Sequence, residues 1–327
     1  MKLNELGEFG LIDRIAGKVK RHSGVELGIG DDAAAIAPTP GTVTLATSDM
    51  LVEGVHFDLS LCDFLTLGRK SLAVNLSDIA AMGAIPRSFL LSVALPSSIT
   101  VDAMDLFCTG LMERADQFDV ALIGGDTCAS RSGFVISVTL LGEQRPELVV
   151  KRSGACPGDL ICVTGTIGDS ALGLELLRRG VRDGRAVERH LDPLPRVREG
   201  VRLAESRLAT AMIDVSDGVL ADLGHILKQS AAGATIEIES LPFSDGYADQ
   251  CLALGRDPIQ LALSGGEDYE LLFTMPPEAR GSVETLFADA ALRLTVIGVV
   301  TDSGRLVVRA ADGTEYVPAG KGYNHFA

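Results

Sequence analysis

The sequence predicts a two-domain protein whose amino-terminal half is an α+β domain rather than a doubly wound sheet. Three observations carry this. The chain has 327 residues, and domains commonly run to about 100–200 residues, so two fit. Its first half alternates strand-like and helix-period segments in the order β-α-β-α-β-β. Near residues 143–158 the texture changes to Pro, Gly and charge, as at a domain junction. The expected division is 1–148 and 149–327.

Residues 42–48 (TVTLATS) read as a strand running into Asp49. Over residues 66–82 the apolar set Leu72, Leu76, Ile79 and Met82 recurs at helical spacing, and Gly83 with Pro86 stops the helix. Residues 88–95 form an apolar strand closed by Pro96, and Thr100 caps the next helix, with Asp102 and Asp105 near its positive end. Residues 120–123 and 134–141 are further strands. Beyond the junction come a strand at 159–164, helices near 169–180 and 196–208, a strand at 210–214 and a helix near 218–231. Strands near 234–239, 259–264, 269–275 and 293–300 complete the chain. Residues 181–195 read as an exposed connector, so Arg178, Arg179, Arg182, Arg185 and Arg189 are expected to be solvated and receive no chemistry.

Composition narrows the function. Asp and Glu number 44 against 29 Lys and Arg, a net charge of −15. A nucleic-acid binder needs a basic face to displace counterions from phosphates, so that class is excluded. No apolar run approaches the roughly 18–20 residues of a membrane span, so no membrane partner is expected. The start carries no apolar secretory segment behind a basic head, and the six cysteines include no C-x-x-C pair; both read as a reducing, cytoplasmic protein. The five histidines do not cluster with the cysteines, which disfavours zinc.

Asp outnumbers Glu 26 to 18, and the aspartates fall at recurring kinds of position. Residues 28–34 read GIGDDAA, which imitates a dinucleotide fingerprint. Asp31 and Asp32 would repel a pyrophosphate there unless a cation intervened; a Gly-Asp turn is the plainer alternative. Thr47, Ser48 and Asp49 follow an apolar strand. Gly124, Gly125, Asp126 and Thr127 end another, and Asp214, Ser216 and Asp217 end a third. Asp78 shares a polar helix stripe with Asn75 and Lys70. Each alone reads as readily as a cap or turn. Together, without a basic cluster, they suit hard oxygen ligation of Mg²⁺, which commonly accompanies nucleotide phosphates. Neither a Walker loop nor an EF-hand pattern is present. His56 is a candidate for an anionic substrate, Lys151 and Arg152 for a terminal phosphate, and residues 264–269 (SGGEDY) for a substrate loop, with a hairpin turn as the alternative.

In this order the segments GIGDDAA (28–34), TSDMLVEGVHF (47–57), KSLAVNLSDIAAMGAIP (70–86), LIGGDT (122–127), KRSGACPGD (151–159), VTGTIGDSALGL (163–174), IDVSDGVLADLGHI (213–226), SGGEDYELLF (264–273) and GYNHF (322–326) resemble the thiamine-monophosphate kinase family. That family is similar to aminoimidazole ribonucleotide synthetase. The resemblance implies an α+β amino-terminal domain with a mixed or antiparallel sheet, dimerising through it, and an α/β carboxy-terminal domain. It also implies ATP- and Mg²⁺-dependent conversion of thiamine monophosphate to thiamine diphosphate. Carried over by position, Asp32, Thr47, Ser48, Asp49, Asp78, Asp126, Asp214 and Asp217 would serve the metal, with Asp126, Asp49 and Asp78 at the reaction centre. Gly125, Asp126, Arg152 and Ser216 would meet ATP; His56, Glu267 and Tyr323 would hold thiamine monophosphate. Ser48 and Cys128 stand where Thr is more usual, and Asn324 where Asp is common. A reading from another class is a non-catalytic metal and nucleotide sensor, which a turnover assay separates.

Overall fold

The computed structural model describes residues 1, 3–20, 22–288, 292–320 and 322–323. Its contacts divide the chain into two compact units, Met1–Ile79 with Ala84–Glu147 and Ala80–Gly83 with Leu148–Ala327. No helix among the described residues is long and apolar enough to cross a membrane.

The first unit opens with a kinked helix α1 (Leu3–Ala16) and two short paired strands, β1 (Val25–Leu27) and β2 (Ala35–Ile36). Then come β3 (Val43–Val52), α2 (Phe64–Ala81), β4 (Ile85–Pro96), α3 (Val101–Phe118), β5 (Ala121–Ser130) and β6 (Val135–Gln144). The last strand inserts itself between the first two, giving the sheet order β3-β6-β4-β5, with β6 antiparallel to both neighbours and β4 parallel to β5. Thr100 caps α3 as expected, its side chain accepting from the Ala103 N–H. Asp63 does the same for α2, accepting from the Thr66 N–H, so the helix starts at Phe64, two residues before the expected start. Strand alternation buries Leu45 and Leu51 of β3, Leu91 and Val93 of β4 and Ile136, Val138 and Leu140 of β6. Helix α2 covers that face, its Ile79 resting where a side chain at Gly142 of β6 would stand. Each such burial contributes about 1.5–3 kcal/mol. The two helices approach so closely that a Cβ at Gly68 or Gly110 would strike the backbone carbonyl of Phe107 or Leu65.

The second unit contains β7 (Leu160–Thr164), α4 (Asp169–Arg178), α5 (Arg185–Leu191), α6 (Val197–Ser206), β8 (Ala211–Asp214), α7 (Val219–Ser230) and β9 (Gly233–Glu237). It continues with α8 (Tyr247–Ala253), α9 (Pro258–Ser264), β10 (Leu271–Met275), α10 (Arg280–Phe287), β11 (Leu294–Thr301), β12 (Leu306–Arg309) and β13 (Glu315–Tyr316). The sheet order is β13-β12-β9-β11-β7-β10-β8, antiparallel except for β12 with β9. Ile161, Val163, Ile213 and Leu272 of the sheet meet Leu172 of α4, Leu220 and Leu223 of α7 and Leu263 of α9 in one buried core.

Two expectations fail here. Residues 259–264 are helix α9, not a strand. A short apolar run is ambiguous in period, and the start signal decides: Asp257 caps by accepting from the N–H groups of Ile259 and Gln260, with Pro258 in the first turn. Residues 181–195 are not a bare connector either, because they contain α5, whose Arg189 turns inward.

Candidate active site

In the first unit, β3 continues through Asp49 to Val52 and β5 through Asp126 to Ser130. Thr47, Ser48, Asp49 and Asp126 therefore lie within strands, not in loops beyond them. The apolar runs stop earlier than the hydrogen-bond ladders do. Alternation along β3 puts Thr47 and Asp49 on the face of buried Leu45 and Leu51, against α2. There the Thr47 hydroxyl donates to Asp78 Oδ2. As an edge strand β3 leaves alternate N–H groups without a strand partner, and Asn75 Oδ1 takes that of Asp49 at 3.2 Å. The stripe that carries Asp78 is thus a buried one: Asn75 is 0% and Lys70 4% exposed. Burial first, and the Asp78 charge second, push the Asp49 carboxyl up to about 7. Ser48 belongs to the opposite, exposed face, with its Oγ 2.9 Å from Thr139 Oγ1.

Asp126 pairs in register with Ser92, and Gly125 with Leu91, whose carbonyl a Cβ at position 125 would overlap. Because β3 and β5 are the two edges of the sheet, the backbones of Asp49 and Asp126 stand about 14 Å apart, three inter-strand spacings. Asp32 is exposed in the loop between β1 and β2. No helix follows that loop, so the dinucleotide-like spelling has no dipole behind it. His56 sits in the turn after β3 and accepts the Val52 N–H on Nδ1 at 3.0 Å, which leaves the ring hydrogen of the neutral form on Nε2.

In the second unit three segments meet. Strand β8 ends on Asp214, only 2% exposed, and the loop after it carries Ser216 and Asp217. The loop between α9 and β10 docks onto it, the Glu267 N–H donating to the Ser216 carbonyl at 2.8 Å and the Tyr269 N–H to Val215 at 2.9 Å. The tail docks as well, through the Tyr323 N–H to the Asp217 carbonyl at 3.0 Å. Asn324, His325 and Phe326 of the tail motif lie outside the described residues. Glu267 is held in the left-handed region, at φ 67°. Its Oε2 lies 3.4 Å from His190 Nδ1, which is also 3.0 Å from Ser170 Oγ. Arg152 is exposed, just before β7.

Several residues that sequence reasoning passed over hold these loops. Glu270, 0% exposed, accepts from Thr164 Oγ1 at 2.7 Å, from Arg196 Nε at 2.6 Å and from Arg189. Burial works against the Arg196 charge, but the Glu270 charge and hydrogen bond outweigh it and hold that guanidinium above its ordinary pKa. Asp268 accepts from the first N–H groups of α4, at Gly168 and Ser170, and burial pushes its carboxyl up to about 7. Asp222 accepts three N–H groups of the Ser216 loop. The density of acids in GEDYE signalled the loop, but nothing local marked Arg189 or Arg196 as its partners.

Among the described residues no three His, Cys, Asp or Glu side chains gather closely enough to hold a metal unaided. Mg²⁺ does not demand that, since it commonly takes one or two carboxylates together with water and substrate phosphates. Asp49 and Asp78 with the Thr47 hydroxyl form such an oxygen-only set where β3 meets α2. The donor chemistry fits.

Comparison with known proteins gives the family of the chain. Residues 30–144 match the family described as AIR synthase related protein, N-terminal domain, and residues 156–311 match its C-terminal domain. Thiamine-monophosphate kinase of Escherichia coli (strain K12) is 40% identical over 98% of this chain and 98% of its own. The crystal structure of thiamine-monophosphate kinase from Stenotrophomonas maltophilia K279a aligns with a TM-score of 0.84 and 39% identity, covering 97% of this chain and 99% of that one. AaThiL, solved in complex with AMPPCP and TMP, aligns with a TM-score of 0.76 and 34% identity over 99% of both chains. The chain belongs to the AIR synthase related proteins and, within them, to the thiamine-monophosphate kinase family.

Proposed function

We propose that this chain transfers the terminal phosphoryl group of ATP to thiamine monophosphate, releasing thiamine diphosphate and ADP. The half-buried, oxygen-only set of Thr47, Asp49 and Asp78, gathered where β3 meets α2, is the observation that carries the reading. The curated relatives of the same name and the AMPPCP and TMP complex of AaThiL support the choice of co-substrates. The acceptor is a phosphate monoester with a second pKa of about 6, so at neutral pH it is already mostly a dianion and needs no general base. What the protein must overcome is the repulsion between two anions. Mg²⁺, when bound, supplies the positive charge that lets them approach and that offsets charge on the transferred group.

Asp49 and Asp78 hold that cation, and the Thr47 hydroxyl fixes the Asp78 carboxylate. Asp32, Asp126, Asp214 and Asp217 extend the anionic set, while Ser48 can join only through its backbone, given the face its side chain occupies. Gly125, Arg152 and Ser216 meet the nucleotide. His56, through Nε2, meets the acceptor phosphate, and Glu267 and Tyr323 meet its heterocycles. Transfer is direct and in line, with no phospho-enzyme. The chain acts as a homodimer through the amino-terminal sheet: with edge β5 of one subunit beside edge β3 of the other, the backbone of Asp126 would come beside residues 47–49, with its side chain on the Ser48 face. Six free thiols suit the cytoplasm.

Incubation with ATP, Mg²⁺ and thiamine monophosphate, followed by chromatography, should yield thiamine diphosphate and ADP in equal amounts. Absence of both products would overturn the assignment. Recovery of a phosphoprotein that turns over to product would overturn the direct transfer.

A further inference from the structure

Asp222 is a carboxylate for which the proposed reaction has no use. It lies on α7, 2% exposed, and a single oxygen, Oδ2, accepts the N–H groups of Ser216 at 3.0 Å, Asp217 at 3.1 Å and Gly218 at 3.1 Å. The same loop that turns its N–H groups toward Asp222 offers its carbonyls to the other two segments. Ser216 O receives the Glu267 N–H, and Asp217 O receives the Tyr323 N–H. Both docking segments approach on glycine. A Cβ at Gly266 would stand 2.3 Å from Ser216 O, and one at Gly322 would stand 2.8 Å from Asp217 O. These contacts leave no room for the loop to shift without displacing the Glu267 loop and the Tyr323 tail.

We propose that Asp222 is the positioning residue of the carboxy-terminal half-site, holding residues 216–218 in the one orientation that presents Ser216 and Asp217 together with Glu267 and Tyr323. This rests on the reading that those four residues serve nucleotide, cation and acceptor. It also limits how they do so. The three loop N–H groups that could form an anion-binding nest are already taken, so Ser216 meets the nucleotide through its hydroxyl rather than through a backbone cradle.

The test compares full-length Asp222→Ala and Asp222→Asn with Asp217→Asn and Glu267→Gln, measuring kcat, the acceptor KM, the Mg²⁺ activation midpoint and the thermal midpoint. Asp222→Ala should raise both the acceptor KM and the Mg²⁺ midpoint by about 10- to 100-fold, as loss of an orienting partner does. Asp222→Asn, whose amide oxygen still accepts, should recover most of that. A merely structural role would lower the thermal midpoint and leave both constants unchanged. If Asp217→Asn and Glu267→Gln shift their constants while Asp222→Ala does not, the positioning role is overturned. If none of the variants shifts either constant, the reading of the loop itself falls. Should Asp222→Ala fail to fold, hydrogen exchange decides: amides of residues 216–218 exchanging in the wild type as fast as unstructured chain would overturn the proposal, and slow exchange that is kept in Asp222→Asn would support it.

Discussion

The two units hold their candidate residues by opposite means. In the amino-terminal unit Asp49 and Asp78 ride on a ten-residue strand and an eighteen-residue helix, tied together by side chains. In the carboxy-terminal unit Ser216, Asp217, Glu267 and Tyr323 lie on segments joined chiefly by backbone bonds, with buried carboxylates underneath as supports. Strands and helices fix a charge in space because every neighbouring residue is already committed to a ladder or a turn. Loops must have their geometry imposed by such partners as Asp222, Asp268 and Glu270. The first half can therefore afford repulsion between its acids, while the second depends on a continuous hydrogen-bond network.

The first half breaks most sharply through charge. Asp49→Asn, Asp78→Asn or Asp126→Asn should each lower kcat by about 10²–10³, roughly 3–4 kcal/mol of transition-state stabilisation, while leaving the fold intact. The two sheet edges add a finer test. Mixing inactive Asp49→Asn and Asp126→Asn subunits should restore activity, because each mixed dimer assembles one site with neither substitution. No recovery on mixing, in a preparation shown to exchange subunits, would remove the shared-edge arrangement.

The second half breaks through its supports. Arg196→Ala leaves Glu270 buried with one cationic partner fewer, and removal of a buried pair's partner costs about 3–5 kcal/mol. The lower end is expected, since Arg189 remains. Urea unfolding measures it, and a loss below about 1 kcal/mol would mean that the pair behaves as an exposed one.

That contrast also decides what could be read beforehand. Elements with strong periodicity, such as α2 and α3, were legible because the core dictates their pattern. So was the helical cap at Thr100, because capping is a local chemistry. The candidate ligands were legible as residue types, yet the place of Asp49 and Asp126 inside strands was not: β pairing extends wherever a partner strand offers bonds, whatever the hydrophobicity. Helix α9 carries its signal in the Asp257 cap and the Pro258 of its first turn, while its short apolar run fits a strand as well. The burial of Arg189 was invisible because its partner Glu270 lies 81 residues away. Local signals reveal caps and periods; long-range charge pairing leaves none.

Protonation separates the halves more gently. Asp49 has its carboxyl raised from 3.8 to about 7, so the folded state binds that proton more tightly than the unfolded chain does. Its contribution to stability is full below pH 4 or so and is lost as pH rises through about 7. In EDTA, the wild type should therefore lose about 2–3 kcal/mol more stability than Asp49→Asn between pH 5 and pH 8. Asp222 and Asp268 titrate alike in both proteins, so the difference isolates Asp49 together with the Asp78 charge that faces it. Parallel pH profiles would show that the carboxyl is not raised.

The smallest effect probes backbone strain. Glu267 holds φ 67°, a conformation that costs a non-glycine residue about 1–2 kcal/mol, whereas glycine adopts it freely. Glycine in turn costs about 0.5–1 kcal/mol of chain entropy, so Glu267→Gly should stabilise the fold by no more than about 1 kcal/mol. It should nonetheless raise the acceptor KM, because the carboxylate is gone. Arg207, at φ 57° in the exposed cap of α6, supplies the control. Arg207→Gly should give a similar stabilisation with kinetics unchanged. If both variants are stabilised and only Glu267→Gly loses acceptor affinity, the strain at Glu267 is retained for binding. If Glu267→Gly is the less stable protein, the His190 contact outweighs the strain, and the loop is held by its side chains as the amino-terminal half is.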